Sequence, residues 1–265
     1  MRLAPFLVVL SVLCWGAAAH AAPPSVQLEE LTWTELRAAL QAGTTTIIIP
    51  AGGTEQNGPH MALGKHNVRA RILSGRIASA LGDTLVAPVL AYVPEGAISP
   101  PAGHMRFPGT ISIPDATFKS TLESAGRSLR QAGFRHIVLV GDHGGYQAVL
   151  REAAADLNKE WAGSGVRAHF IEDYYRASQA AYVQALRAKG LTEAQIGSHA
   201  GAADTSLMLA LDPALVRSDR LVGTAAKDGV AGDPAPSSAA LGQLGVDLIV
   251  SQTVSAIRKA RAEKR

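Results

Sequence analysis

The chain has 265 residues, 47% of them hydrophobic, and its 25 Lys and Arg against 22 Asp and Glu leave a formal net charge of +3. The basic residues are scattered, and only the tail from Lys259 to Arg265 is locally basic, which excludes a nucleic-acid binder that works by charge. The single cysteine, Cys14, excludes a disulfide framework and any cysteine-based metal or nucleophile site downstream of it.

Met1–Ala22 carries one basic residue, Arg2, an apolar core from Leu3 to Trp15 and a small-residue end in which Ala19-His20-Ala21 forms a cleavage pattern. This predicts a secretory signal peptide over residues 1–21 and a secreted or periplasmic protein that begins near Ala22. Leu13 before Cys14 does not suit a lipoprotein cleavage box. The apolar core is shorter than the ~20 residues of a membrane span, and no span is expected elsewhere. The remaining 244 residues (265 − 21) suit one α/β domain over residues 22–265.

Strand-like and helix-like segments then alternate. Thr32-Trp-Thr-Glu35 is a capping-box signature ahead of a short helix. Thr46–Pro50 reads as a buried strand, Val68–Leu81 as a helix, Thr84–Val93 as a strand and Asp115–Ala132 as an amphipathic helix closed by Gly133. The cycle repeats with a strand over His136–Val140, a helix over Gln147–Trp161, a strand over Val166–Ile171 and helices over Arg176–Lys189 and Thr205–Leu211. Such alternation predicts an α/β fold, a three-layer α/β/α arrangement around a mostly parallel sheet.

In such folds ligands collect beyond the carboxyl ends of the strands, and the loops there share one chemical character. The first, after Thr46–Pro50, holds Glu55, Asn57, His60 and His66 in a Gly/Pro-punctuated run. Gly141-Asp142-His143-Gly144-Gly145-Tyr146 follows the His136–Val140 strand, with glycines that allow close backbone approach to an ion or substrate. Further on comes Ser198-His199-Ala-Gly-Ala-Ala-Asp204-Thr-Ser206. Each residue alone also fits an ordinary turn: Asp204 as a helix cap, His143 as a hydrogen-bonded turn residue, His60 as a brace on the backbone. The recurrence of carboxylates and imidazoles after separate strands points instead to a divalent metal site, with zinc the first choice.

These loops resemble the creatininase family, the creatinine amidohydrolase-like metal-dependent amidases. The family's motifs run approximately E-Q-H-G-P-H-L-P-L-x-T-D, N-G-H-G-G-N and H-A-G-x-x-E-T-S. This chain has Glu55-Gln-Asn-Gly-Pro-His-Met-Ala-Leu-Gly-Lys-His66, Gly141-Asp-His-Gly-Gly-Tyr146 and His199-Ala-Gly-Ala-Ala-Asp-Thr-Ser206. His104-Met-Arg-Phe-Pro-Gly-Thr and Gly229-Val-Ala-Gly-Asp-Pro234 also look familial, so the resemblance runs from about Leu31 to Val250. It implies hydrolysis of a non-peptide C–N bond in a small amide at a centre of zinc, manganese or iron, and a homo-oligomer, often a hexamer.

The departures are specific. The family's first-motif His is Asn57 here, its bridging Asp is His66, and the Glu of E-T-S is Asp204. An imidazole offers one lone pair and cannot bridge two cations as a carboxylate does. Three readings follow. In the first, Glu55, His66 and His143 hold one ion, with Asp204 or Asp142 as a fourth ligand or as a partner orienting an imidazole, and His199 gives a proton to the leaving nitrogen. The bound ion would lower the pKa of a water toward ~7. The second keeps two ions, with Asp142 as the bridge. The third is an exported member that binds a small molecule without catalysis. Asn57, His60, Gly144 and Gly145 are expected to contact substrate or support the ligands.

Overall fold

The computed structural model describes residues 23–263; the expected signal peptide lies outside them. Helix α1 (Trp33–Gln41) starts as its sequence demands, with the Thr32 hydroxyl accepting from Glu35 N and the Glu35 carboxylate accepting from Thr32 N at 2.7 Å. Strand β1 (Thr46–Ala51) leads into α2 (Lys65–Leu81), which returns to β2 (Thr84–Val86). Helix α3 (Asp115–Ala132) carries the chain to β3 (His136–Gly141), and α4 (Gln147–Glu160) carries it to β4 (Arg167–Phe170). All pairings are parallel and the order is β2-β1-β3-β4.

The three isoleucines of β1 show how the layers form. Ile47 and Ile49 enter one core with Ile137 and Leu139 of β3, covered by α3, α4 and α1. Ile48 enters the other with Val138 and Val140, on the opposite face. Successive strand side chains alternate, so an unbroken apolar run needs helices on both faces. Each isoleucine is at most 1% exposed, worth about 1.5–3 kcal/mol of burial apiece. The second face is covered by α2 and by α5 (Asp173–Gln179), α6 (Ala181–Ala188), α8 (Ala202–Leu211) and α9 (Ala239–Ala262), with the short α7 (Glu193–Ile196) beside them.

Five elements differ from the sequence reading, among them α8, which starts at Ala202 and not at Thr205. The strand expected over Thr84–Val93 ends at Val86, because Pro88 has no N–H for the ladder and the chain continues through single bridges at Leu90 and Val93. The helix expected over Arg176–Lys189 starts at Asp173 and breaks at Ala180, giving α5 and α6. Helix α2 starts at Lys65, three residues before the periodicity shows it, so His66 lies in a helix and not in the loop. The sequence reading gives helix α9, 24 residues, no range. Its length and apolar composition would suffice for a bilayer span, yet Val246, Ile249, Val254 and Ile257 pack into the second core. Gly242 sits where α9 crosses α8, and any side chain there would run into the Ser206 carbonyl.

Candidate metal centre

Strand β1 connects onward to β2 on one side and β3 to β4 on the other, so a crevice opens at the carboxyl ends of β1 and β3. The loop after β1 is tied down from several directions. Asn67 of α2 accepts from Gly53 N at 2.9 Å and donates to Thr54 Oγ1 at 3.1 Å, while Gln56 N donates to Thr110 Oγ1 at 3.1 Å. Asn57 is buried and turned toward the backbone, donating to the carbonyls of Glu55 (2.9 Å) and Ala62 (3.1 Å). His60, also buried, meets Thr205 Oγ1 at 3.0 Å and fastens the loop to α8. Glu55 is thereby held with its side chain fully buried at the floor of the crevice.

One half of the crevice is a closed ionic network. Lys65 and Arg69 stand in the first turns of α2, where the helix dipole disfavours cations, with His66 between them, and all three are buried. Three carboxylates offset them. His66 Nε2 lies 2.7 Å from Glu55 Oε1, and its Nδ1 lies 2.6 Å from Asp142 Oδ2. Arg69 donates to Asp142 Oδ2 (2.7 Å) and Asp204 Oδ1 (2.8 Å), and Lys65 donates to Asp204 Oδ2 (2.9 Å). Tyr174 donates to Asp142 Oδ1, and the N–H of Ala200, a residue in the left-handed region at φ 55°, donates to Asp204. Burial works to raise both aspartates, but Arg69 for Asp142, and Lys65 and Arg69 for Asp204, hold them below the usual carboxylate range.

The other half is unpaired. Glu55 Oε2 is buried without a hydrogen-bond partner among the described residues. His104 Nε2 lies 3.3 Å from it and His143 Nε2 3.8 Å. Glu55, His104 and His143 each place one ligand atom within 4.8 Å of the others. Burial opposes ionisation of Glu55, yet the His66 hydrogen bond and the fields of His66 and Lys65 hold its carboxyl well below the usual range. Burial, then the neighbouring His66, pushes the His143 imidazole down to about 4, so it is neutral near pH 7 and keeps a lone pair. One carboxylate with two imidazoles is a donor set for zinc or manganese, and an anionic oxygen with no donor is what a cation would satisfy.

His199 stands beside this group. Its Nε2–H donates to the Gln56 carbonyl at 2.9 Å and its Nδ1 lies 3.7 Å from Glu55 Oε1. Burial, then Lys65, pushes it down to about 3. Its ring is therefore neutral near pH 7, with a lone pair at Nδ1.

The expected ligands thus divide. Glu55 and His143 come together. Both nitrogens of His66 face carboxylates, and both oxygens of Asp204 and of Asp142 are engaged by donors, so these three residues hold the crevice in shape. His104 takes the remaining position in the cluster. It was legible only as part of a familial stretch, since a loop of 28 residues (87–114) without long regular structure hides where it points. Gly144 and Gly145 open the helix-like turn after His143, where a side chain at Gly144 would strike the Tyr175 hydroxyl.

A cavity of about 260 Å³ opens over the cluster, lined by His66, His104, His143, Tyr175, Gln179 and His199 among others. A larger one, about 450 Å³, lies at the other end of the sheet beside His136, Trp161 and Arg261, away from the cluster.

A parallel sheet whose carboxyl edge gathers a buried carboxylate and imidazoles around a small polar cavity defines an α/β protein with a metal-capable site. The creatinine amidohydrolase family model matches residues 29–257, and the chain belongs to the creatininase family. It is 32% identical over 201 residues to creatinine amidohydrolase of Pseudomonas putida, covering 75% of this chain and 76% of that protein. It is 30% identical over 221 residues to a mycofactocin precursor peptide peptidase of Mycolicibacterium smegmatis (74% and 78% covered). A solved manganese creatininase superposes with a TM-score of 0.75 at 28% identity, covering 90% of this chain and all of that one.

Proposed function

We propose that this chain is a metal-dependent hydrolase that holds a single divalent ion, zinc by preference, and cleaves a non-peptide C–N bond, an amide or cyclic amide, of a small molecule. The observation that carries this reading is the mutual approach of Glu55, His104 and His143 around a Glu55 oxygen that no donor satisfies. The hydrogen-bond pattern favours one ion over two. Lys65, Arg69, Tyr174 and the His66 ring already engage the oxygens of Asp142 and Asp204 and the other oxygen of Glu55, so no second unsatisfied carboxylate pair is left on that side.

A bound divalent ion would polarise the substrate carbonyl and acidify a water molecule. Glu55, His104 and His143 would hold it, the two imidazoles through neutral rings. His199 would take the water's proton at Nδ1, with its Nε2–H anchored on the Gln56 carbonyl, and return it to the leaving nitrogen. His66 and Lys65 hold Glu55 ionised and in place, and Arg69 braces the aspartates behind them. The cavity lies at or below the size range of ordinary ligand pockets, which supports a small polar substrate over a peptide. Export after cleavage behind Ala21 and assembly into a closed homo-oligomer complete the reading.

A screen of lactams, cyclic ureas and primary amides with the mature protein tests it. Turnover that disappears on chelation and returns on addition of zinc or manganese is the expected result. Turnover indifferent to chelation would refute the metal role.

A further inference from the structure

Glu95 lies in the segment between β2 and α3, and the centre as described makes no use of it. Its side chain is fully buried, and neither carboxylate oxygen has a hydrogen-bond partner among the described residues. The backbone around it is pinned: Glu95 N donates to Ser112 Oγ at 3.0 Å, and that hydroxyl donates to the Gly96 carbonyl at 2.8 Å. Space for the carboxyl comes from Gly53, where any side chain would collide with Glu95 Oε1. Natural proteins rarely bury a carboxyl this way without a partner, because its desolvation goes uncompensated.

A neighbouring imidazole explains it. Glu95 Oε2 lies 3.6 Å from His143 Nδ1, and the opposite nitrogen of the same ring, Nε2, lies 3.8 Å from Glu55 Oε2. The His143 ring thus stands between two carboxyls, with the metal-capable cluster on its Nε2 side. Metal-bound histidines usually donate their other N–H to a carboxylate or carbonyl, which fixes tautomer and ring orientation.

We propose that Glu95 is the positioning residue of the metal centre: its carboxyl accepts a hydrogen bond from His143 Nδ1–H, so that Nε2 turns its lone pair toward an ion shared with Glu55 and His104. The Gly145 N–H, 3.2 Å from Nδ1, is the competing partner that this contact displaces. The proposal rests on the single-ion reading above and assigns Glu95 no contact with substrate.

The test is zinc affinity by competition with a chromophoric chelator, the visible spectrum of the cobalt(II)-substituted protein, and melting temperatures with and without zinc. These are measured for the unaltered protein, Glu95→Gln and Glu95→Asp. Glu95→Gln, of the same shape, is expected to weaken zinc 10- to 100-fold while one equivalent still binds, to alter the cobalt spectrum and to shrink the zinc-induced rise in melting temperature. Glu95→Asp should fall between the two. A merely structural Glu95 would shift both melting temperatures alike and leave affinity within twofold and the spectrum unchanged, and that result overturns the proposal. Should Glu95→Gln not fold, Glu95→Asp alone decides, since unaltered affinity there is equally fatal. An unaltered protein that binds no zinc refutes the single-ion reading itself, whereas normal zinc binding with an indifferent Glu95→Gln refutes only the role of Glu95.

Discussion

On the α2 side of the crevice every carboxylate oxygen of Asp142 and Asp204, and one of Glu55, has a donor; on the His104 and His143 side the other oxygen of Glu55 and both of Glu95 have none. The two halves share Glu55, which gives one carboxylate oxygen to each. The paired half is complete without any ligand, and its worth lies in holding shape. The unpaired half is left with a Glu55 oxygen and imidazole lone pairs that a cation would satisfy. Mutations should therefore separate them, with stability responding on one side and ion binding on the other.

The largest effect is expected at Arg69, which donates to both Asp142 and Asp204. Arg69→Met removes the cation that the two carboxylates share and should cost on the order of 3–5 kcal/mol in denaturant unfolding. A loss below ~1 kcal/mol would mean that the network is not what holds the crevice. Next comes His143→Ala, which should weaken zinc by about 100-fold or more while barely changing unfolding of the metal-free protein. If the two quantities moved together, the division between the halves would be lost. Asn57→Ala falls on the paired side: it strips donors from the carbonyls of Glu55 and Ala62, which should cost about 1–3 kcal/mol and leave zinc stoichiometry unchanged.

The smallest effect lies outside the crevice. At the far end of the sheet His136 Nδ1 meets His169 Nε2 at 3.1 Å, and burial, then the neighbouring His136, pushes His169 down to about 4. The folded chain then binds fewer protons than the unfolded one between that value and the ordinary ~6.5. Stability is fully present above that window and is lost as pH falls through it. Unfolding titrations of His169→Gln should show a flatter curve between pH 6.5 and 4.

Much of this layout was legible in the sequence, and the exceptions have physical reasons. The capping box at Thr32, the buried run of β1 and the glycine-bearing turn after β3 announce themselves locally, because each is fixed by neighbours within a few residues. That His66 serves Glu55 and Asp142 was not legible: the contacts span 11 and 76 residues, and nothing in Gly64-Lys65-His66 shows that a helix starts there without a side-chain cap. Lys65 and Asp204 are 139 residues apart, so their pairing exists only in the fold. Helix α9 was hidden by Gly242 and Gly245, which weaken its helical pattern and serve the close approach of α8 and Tyr182. His104 and Glu95 escaped because their loop follows the walls of the crevice and has no period of its own.

Zinc bound per chain at equilibrium, measured for the unaltered protein and for His104→Ala, tests the single-ion site most directly, because His104 joins the cluster by geometry alone. One equivalent in the unaltered protein and well under one in His104→Ala is the expected pair of values. Two equivalents or none in the unaltered protein, or full occupancy in His104→Ala, would contradict it.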